Sequence, residues 1–241
     1  MAPVTGRPRG GPSFVRVGIV WLAAAGLLAG CSTPPVKAPL AADEWHAVTL
    51  PGKRPTVYRS ERHEGRLAWA ARADRSASMW RRHVVRDGSA LGEVAFSWWV
   101  QSMPTQGDVS DADREDAAAR VIFAFGGDRQ KLSARNQMMF ELAQTLTGEA
   151  PPFATLVYVW DATAPVGSVI VHPRSDRIRK IVVESGGDGL RQWRQYRRNL
   201  ARDYQLAFGE APGSLQAVAM MTDGDNTQSQ LNTWYGDIEF H

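Results

Sequence analysis

The sequence predicts a mainly β protein, a jelly-roll-like antiparallel β-sandwich with two surface α-helices. After Trp45, short apolar runs are separated by Gly, Pro, Asp and Ser, a pattern that is typical of all-β sandwiches and barrels. From residue 92 to residue 102, apolar and polar side chains alternate, which is the period of a strand with one buried face. Two other segments repeat their apolar residues at the period of a helix.

Ten strands are predicted from these runs. They lie near residues 56–60, 66–73, 78–86, 92–102, 119–126, 155–161, 168–172, 178–185, 215–222 and 233–240. The runs at 120–125 and 155–160 are apolar on both faces, which indicates central strands that are covered on each side.

The first helix is predicted over residues 132–146. Its apolar residues fall on one side, and Gln and Glu side chains lie opposite, as in an amphipathic surface helix. The apolar residues are Leu132, Met138, Met139, Leu142 and Leu146. Gly148 and the two prolines at 151–152 then end the helix.

The second helix is predicted over residues 190–208, and it carries an arginine cluster beside its apolar stripe. The cluster consists of Arg191, Arg194, Arg198 and Arg202. Such a face is either simply solvated or in contact with acidic lipid head groups or anionic polysaccharide. Arg197 falls inside the apolar stripe, where a charge needs an acidic partner or a route to water. We expect an ion pair there, with an anion-binding role as the alternative.

The first 30 residues predict an export signal. Three arginines precede an apolar run from Val17 to Gly30, and small residues stand at its end. The run is shorter than the ~20 apolar residues that span a membrane. We therefore expect residues 1–30 to direct export and then to be removed.

Leu28-Ala29-Gly30-Cys31 resembles the lipobox of bacterial lipoproteins, which implies that Cys31 carries acyl chains. Cys31 is the only cysteine, so an intramolecular disulfide is excluded. The plain alternative is a buried core cysteine. Acylation with more than one chain gives a stable membrane anchor. Lipoproteins that stay on the inner membrane tend to have Asp after the cysteine, so with Ser32 the resemblance implies the periplasmic face of the outer membrane. Residues 31–44 contain three prolines and predict a semi-rigid tether.

The charge balance excludes one class of partner. The chain has 28 basic and 25 acidic residues, and three of the arginines lie in the signal, which leaves 28 − 3 = 25 basic against 25 acidic. Nucleic-acid binding needs a concentrated basic surface, so we expect no nucleic-acid partner. Residues 45–241 are enough for one folded domain with one core. The oligomeric state is left open.

Common catalytic motifs are absent from the sequence. It contains no His-Glu-x-x-His, no Gly-x-Ser-x-Gly, no phosphate loop and no dinucleotide fingerprint. The weak catalytic candidates are Glu239, Asp237 and Glu184, since cleavage of a glycosidic bond requires a pair of carboxyl groups.

An acidic loop near the end of the chain predicts a cation site. Asp223, Asp225 and Thr227 stand at alternate positions, which lets their oxygens converge on one ion, and Asp237 on the closing strand is placed to join them. One interpretation of this loop is a structural calcium held by Asp223, Asp225 and Asp237. The other is an Asx-rich turn between two strands. A second acidic cluster, 108–116, predicts a solvated loop or a further metal site.

Two aromatic positions suggest ligand contacts. Trp99 shares a strand face with polar residues, so it is either a stacking platform for a sugar or covered by a helix. On the final strand, Tyr235 and Asp237 share a face with Glu239, opposite Trp234 and two further apolar residues. We expect Trp99, Tyr235 and Asp237 to contact the ligand.

Several segments together resemble the bacterial family known as domain of unknown function 3047. They are PPFATLVYVW at 151–160, IVVESG at 181–186, RDY and FGE within 202–210, MTDGDNT at 221–227 and YGDI at 235–238. The resemblance covers residues 45–241 and implies no assigned activity. The strand order and the YGDI ending also resemble jelly-roll carbohydrate-binding modules.

The leading hypothesis is an exported, lipid-anchored protein of the bacterial cell envelope that binds a glycan or another envelope polymer without catalysis. One alternative is a hydrolase or lyase acting on glycans. The other is a structural or assembly lipoprotein whose partner is a protein.

Overall fold

The computed structural model describes residues 45–241. The predicted signal at 1–30, the acylation site Cys31 and the tether at 31–44 lie outside the described residues and stay predictions.

Thirteen strands and two α-helices are found in this part of the chain. The strands are β1 (Trp45–Thr49), β2 (Val57–His63), β3 (Arg66–Asp74), β4 (Ser78–Arg86), β5 (Glu93–Val100), β6 (Ala117–Phe125), β7 (Ala154–Asp161), β8 (Val169–His172), β9 (Ser175–Ser185), β10 (Trp193–Asn199), β11 (Leu215–Asp223), β12 (Gln230–Tyr235) and β13 (Glu239–Phe240). The helices are α1 (Ala134–Thr147) and α2 (Leu200–Phe208). Each of the ten predicted strands has a counterpart, and the mainly β prediction is confirmed.

The strands form two sheets packed as a sandwich. The seven-stranded sheet has the order β1-β4-β11-β6-β7-β9-β8, and the six-stranded sheet has the order β10-β5-β12-β3-β2, with β13 paired to β5. Neighbours are antiparallel except β7 and β9, which run parallel. The central positions of β6, β7 and β11 agree with their nearly continuous apolar sequences.

The core lies between the two sheets. Its largest buried side chains include Trp98 of β5, Phe123 of β6, and Tyr158 and Trp160 of β7. In each of these strands the alternate residues point to the opposite face, so the same strands also furnish an outer surface. On the seven-stranded sheet, that outer surface is where the candidate site lies.

The second predicted helix, 190–208, is confirmed only in its second half. Residues 193–199 form strand β10, which pairs with β5 along its whole length, and the helix begins only at Leu200. Apolar residues at 193, 196 and 200 fit a helix, but the edge of β5 offers backbone partners that sequence periodicity does not reveal. Asn199 then caps α2 by accepting a hydrogen bond from the Arg202 N–H.

The predicted arginine face is therefore not a face of one helix. Arg194 pairs with Glu184 on β9, and Arg198 pairs with Asp203 at the start of α2. Arg197 pairs with Glu93, as the ion-pair reading expected, although on an exposed strand.

Within residues 45–241, neither helix has the length and apolar character that a membrane-crossing segment requires.

Candidate functional site

A groove of about 450 Å³ runs over the outer face of the seven-stranded sheet. Its floor is made of outward-facing aliphatic side chains from β4, β6, β7 and β11. They include Met79, Ile122, Ala124, Val157, Ala217 and Ala219. None of the side chains that line it is Trp, Tyr or Phe. We call this feature the sheet groove, and its volume lies in the range of ligand-binding pockets.

One end of the sheet groove contains a buried network of charged side chains. The Lys180 ammonium is 2.8 Å from Glu115 Oε1 and also donates to the Val109 carbonyl. His172 Nε2 lies 3.1 Å from Glu115 Oε2, while its Nδ1 accepts from the Arg174 N–H. Since Nδ1 is an acceptor, Nε2 carries a hydrogen and donates a hydrogen bond to Glu115.

A second pair continues the network toward β11. Arg120 Nη1 is 2.8 Å from Asp223 Oδ2, and Arg120 Nη2 donates to the Glu115 carbonyl. A register shift in β11 beside Asp223 brings its Oδ1 to 3.1 Å from the Ala117 N–H. Asp223 is only 4% exposed and Lys180 only 2%. Both are held in place by partners, as buried charges must be.

The network separates the protonation behaviour of its two carboxyl groups. Burial alone would raise the pKa of Glu115, but the His172 hydrogen bond and the charges of Arg120 and Lys180 outweigh it and lower that pKa to about 2. Burial raises the pKa of Asp223 to about 6, with Asp116 and Glu115 adding to the effect and Arg120 opposing it. Burial and the nearby Arg120 charge lower the pKa of Lys180.

The predicted acidic loop lies at this same end of the groove. Carboxylate oxygens of Asp116, Asp223 and Asp225 lie within 4.8 Å of one another, whereas Asp237 is outside this group. Asp223 faces Arg120, Asp225 pairs with Lys53, and Asp116 accepts from the N–H groups of Asn226 and Thr227. The carboxylates of the loop therefore bond to other segments of the chain and not to the backbone of their own turn, and they remain close enough to share one ion.

Calcium binding by Asp223 and Asp225 stays a prediction, and a thermal melt tests it. Calcium that binds only the folded chain stabilises it by mass action and so raises the melting temperature. At a calcium concentration of one hundred times Kd, the free energy of unfolding rises by about 2.7 kcal/mol. We expect the midpoint to fall when chelator is added and Asp225→Asn to lose the response. Identical midpoints with calcium and with chelator would contradict the prediction.

Trp99 lies on the outer face of the six-stranded sheet, but it is buried there. Trp234 meets it edge-on at 5.0 Å and the His63 ring at 4.3 Å. Ala68 and Ala70 complete this cluster. The prediction of an exposed stacking platform is wrong because side chains from neighbouring strands, and not a helix, cover the indole.

The predicted faces of the final strand are wrong for Trp234 and Tyr235, whereas Ile238 and Phe240 contact the core as predicted. Tyr235 points into the core, where its hydroxyl donates to the Met221 carbonyl and accepts from the Arg120 N–H. Trp234 points outward. The strand is interrupted after Tyr235, because the Gly236 N–H bonds to the Ser97 carbonyl and pairing to β5 resumes only at Glu239. Alternation does not persist through such a break.

The three weak catalytic candidates are not brought together with the groove network. Glu184 Oε2 accepts from Arg194 Nε at 2.8 Å and from the Tyr196 hydroxyl at 2.6 Å. Asp237 is half-buried in the interruption between β12 and β13, and Glu239 is exposed on β13.

Sequence reasoning placed Glu115 in the second acidic cluster but missed the groove residues Arg120, His172 and Lys180. Two of them carried a usable signal, since Arg120 and Lys180 are charges within otherwise apolar strands. A charge at such a position requires a buried partner. The partners come from distant parts of the chain, so their identity could not be read from spacing.

A family model described as "Protein of unknown function (DUF3047)" matches residues 43–239. The chain belongs to this family. The match spans all strands from β1 to β12 and includes every residue of the groove network. No curated protein matches the sequence.

Three solved structures illustrate what the DUF3047 domain is similar to. The family 11 carbohydrate-binding module from Clostridium thermocellum, in complex with a β-1,3-1,4-mixed-linked tetrasaccharide, is 8% identical, with 82% of this chain and 88% of that chain covered and a TM-score of 0.41. A thermostable variant of the Cel12A cellulase of Rhodothermus marinus is 11% identical (84% and 93% covered, TM-score 0.45). The xyloglucanase domain of NopAA from Sinorhizobium fredii is 9% identical (84% and 95% covered, TM-score 0.43).

Proposed function

We propose that the protein is a non-catalytic binding module of the bacterial cell envelope and that it holds a segment of glycan or another envelope polymer in the sheet groove. The observation that carries this proposal is the groove, which combines an aliphatic floor with fixed polar groups at one end. Aliphatic side chains can contact the C–H faces of a polymer, and Lys53, Asp225 and Asn226 can bond its hydroxyl groups.

The charged network supports binding because it is ordered before any ligand arrives. Glu115, Lys180, Arg120 and Asp223 hold one another at hydrogen-bond distance. A site that is already ordered loses less conformational freedom when it binds, and this favours affinity.

The same network argues for binding over hydrolysis. Glu115, with a pKa of about 2, has no proton to donate near neutral pH. Both oxygens of Asp223 are engaged, one by Arg120 and the other by the Ala117 N–H. A glycosidase needs one carboxyl group that donates a proton and a second that is free to act on the sugar or on water.

The proposal includes the location that the sequence predicts. The protein is exported, acylated at Cys31 and held on the periplasmic face of the outer membrane, so its ligand belongs to that compartment. Its membrane partner is then the bilayer that carries the anchor.

Filling the groove is the test. A glycan array identifies a ligand, and calorimetry compares its affinity for the wild type, for Ala124→Trp and for Val85→Trp. Ala124 lies on the groove floor, whereas Val85 is an exposed residue of β4 outside the groove. We expect Ala124→Trp to weaken binding at least about tenfold, which is about 1.4 kcal/mol, and Val85→Trp to bind normally.

Three outcomes would overturn the proposal. Equal affinity in all three proteins would remove the groove as the site, and silence of the wild type towards every envelope polysaccharide would remove the ligand class. Turnover of a bound polysaccharide by the wild type would replace binding by catalysis.

A further inference from the structure

Helix α1 presents an aliphatic stripe to the solvent. Met138 is 62% exposed, Leu142 52% and Leu146 66%, and Met139 beside them is 36% exposed. The positions 138, 142 and 146 are each four residues apart, so they form one row on the helix surface. This is the row that sequence periodicity selected, but it faces away from the domain, whereas Asn136 and Phe140 face inward.

Both ends of α1 are attached to the seven-stranded sheet. Near its start, Asn136 Nδ2 donates to Asp176 Oδ1 of β9 at 2.6 Å. Just after its end, Glu149 Oε2 accepts from Arg81 Nη1 of β4 at 3.0 Å. Since these polar contacts attach the helix to the seven-stranded sheet, the exposed aliphatic row is not needed to bind it to the domain.

The end of α1 lies beside the point where the predicted tether joins the domain. Arg81, which binds Glu149, also donates from Nε to His46 Nε2 at 3.2 Å. His46 is the second residue of β1, and residues 31–44 precede that strand directly. Fourteen residues span at most roughly 50 Å when fully extended. An acyl anchor at Cys31 would therefore hold the domain within roughly 50 Å of the bilayer, a distance from which α1 can reach the membrane surface.

We propose that Met138, Leu142 and Leu146 insert into the interfacial region of the membrane that holds the Cys31 anchor. Exposed aliphatic side chains of a helix can lie among the acyl chains while the helix axis lies in the plane of the interface. Arg135 stands one turn before Met138, from where its guanidinium can reach the head groups while its stem stays apolar. The contact can be individually weak, because the anchor makes it an intramolecular event.

Membrane contact through α1 would also orient the sheet groove. Arg81 lines the groove, and Asp176 lies two residues before Ile178, which lines it as well. The edge of the groove beside α1 therefore faces the bilayer. This inference rests on the predicted lipid anchor and does not depend on the ligand of the groove.

Fluorescence of a single label on the full, anchored chain tests the inference. Leu142→Cys and the control Val166→Cys are labelled with an environment-sensitive fluorophore and reconstituted into vesicles of phosphatidylcholine with phosphatidylglycerol. Val166 is 62% exposed and lies before β8, at the opposite end of β8 from Ser175 and Asp176, the β9 residues that α1 contacts. We expect the label at 142 to show a blue-shifted emission and quenching by bilayer-resident quenchers, and the label at 166 to show neither.

The second variant checks that the row itself is responsible. Adding Met138→Ser and Leu146→Ser to Leu142→Cys should abolish the blue shift without lowering the melting temperature, because both side chains are exposed. Labels at 142 and 166 that are equally exposed to water would overturn the inference. So would a blue shift at 142 without vesicles that grows with protein concentration, since it would assign the row to contact between copies. The wild type serves as a separate control, because labelling of Cys31 would show that the anchor, and not α1, had failed.

Discussion

Replacing Asp223 with alanine is expected to lower the free energy of unfolding by about 3–5 kcal/mol, measured by urea denaturation at pH 7. The change leaves the buried Arg120 guanidinium without its counter-charge and the Ala117 N–H without its acceptor. Removing one partner of a buried ion pair costs far more than the pair contributes, because the remaining charge stays desolvated. Against a typical stability of about 5–15 kcal/mol, such a loss is large.

Two further variants show whether burial is the reason. Asp225→Ala removes a carboxylate from the same loop, but its partner Lys53 is substantially exposed, so the expected cost is only about 0–1 kcal/mol. Arg120→Met combined with Asp223→Leu replaces the pair by apolar side chains and should recover the part of the loss that comes from the unpaired Arg120 charge, while the Ala117 N–H stays without its acceptor. If Asp223→Ala and Asp225→Ala cost the same, the network at the groove end is not a buried ion-pair system.

The sequence predicts the sandwich well because alternation is a local property. Val94, Phe96 and Trp98 point to one side of β5 whatever that strand pairs with, so the strand and its buried face follow from the pattern alone. The stop at Gly148 is equally local, since the residue adopts the left-handed conformation with φ 75°. Such features need no knowledge of the rest of the chain.

Pairing partners are what the sequence does not contain. Trp193 and Tyr196 fit one face of a helix, and only the free edge of β5 turns their segment into strand β10. Alternation counted through Gly236, whose N–H bonds to Ser97 of β5 where the strand is interrupted, assigns Trp234 and Tyr235 to the wrong faces, although Ile238 and Phe240 do contact the core. Both errors follow from contacts between residues that are far apart in the chain.

The residues of the candidate site also fall into those that the sequence predicts and those that it does not. Asp223 and Asp225 are predicted because they are close in sequence, and both lie at the sheet groove. Glu115 and Lys180 are 65 positions apart in the chain and meet at 2.8 Å, and no motif connects them. A charge within an apolar strand is the signal that can be searched for, and it predicts the existence of a partner but not its identity.

Acid is expected to remove the contribution of Glu115 to stability. Its folded-state pKa of about 2 lies below the ordinary 4.5, so this contribution is complete above pH 4.5 and is lost as the pH falls towards 2. The difference corresponds to about 3 kcal/mol in total, of which about 2 kcal/mol is gone by pH 3. Asp223 acts in the opposite direction, since its raised pKa favours the folded state as the pH falls from about 6 to 3.8.

A comparison with Glu115→Gln isolates the effect, because the other carboxyl groups titrate in both proteins. Denaturation at pH 7, 5 and 3 should show the wild type clearly more stable at pH 7, with the gap reduced by about 2 kcal/mol at pH 3. Glu149→Gln is the control, because its carboxylate is exposed and its ion pair with Arg81 is a surface pair. The stability of this variant should stay close to that of the wild type at all three pH values. A gap for Glu115→Gln that stays constant from pH 7 to pH 3 would mean that Lys180, His172 and Arg120 do not hold this carboxylate in its ionised form.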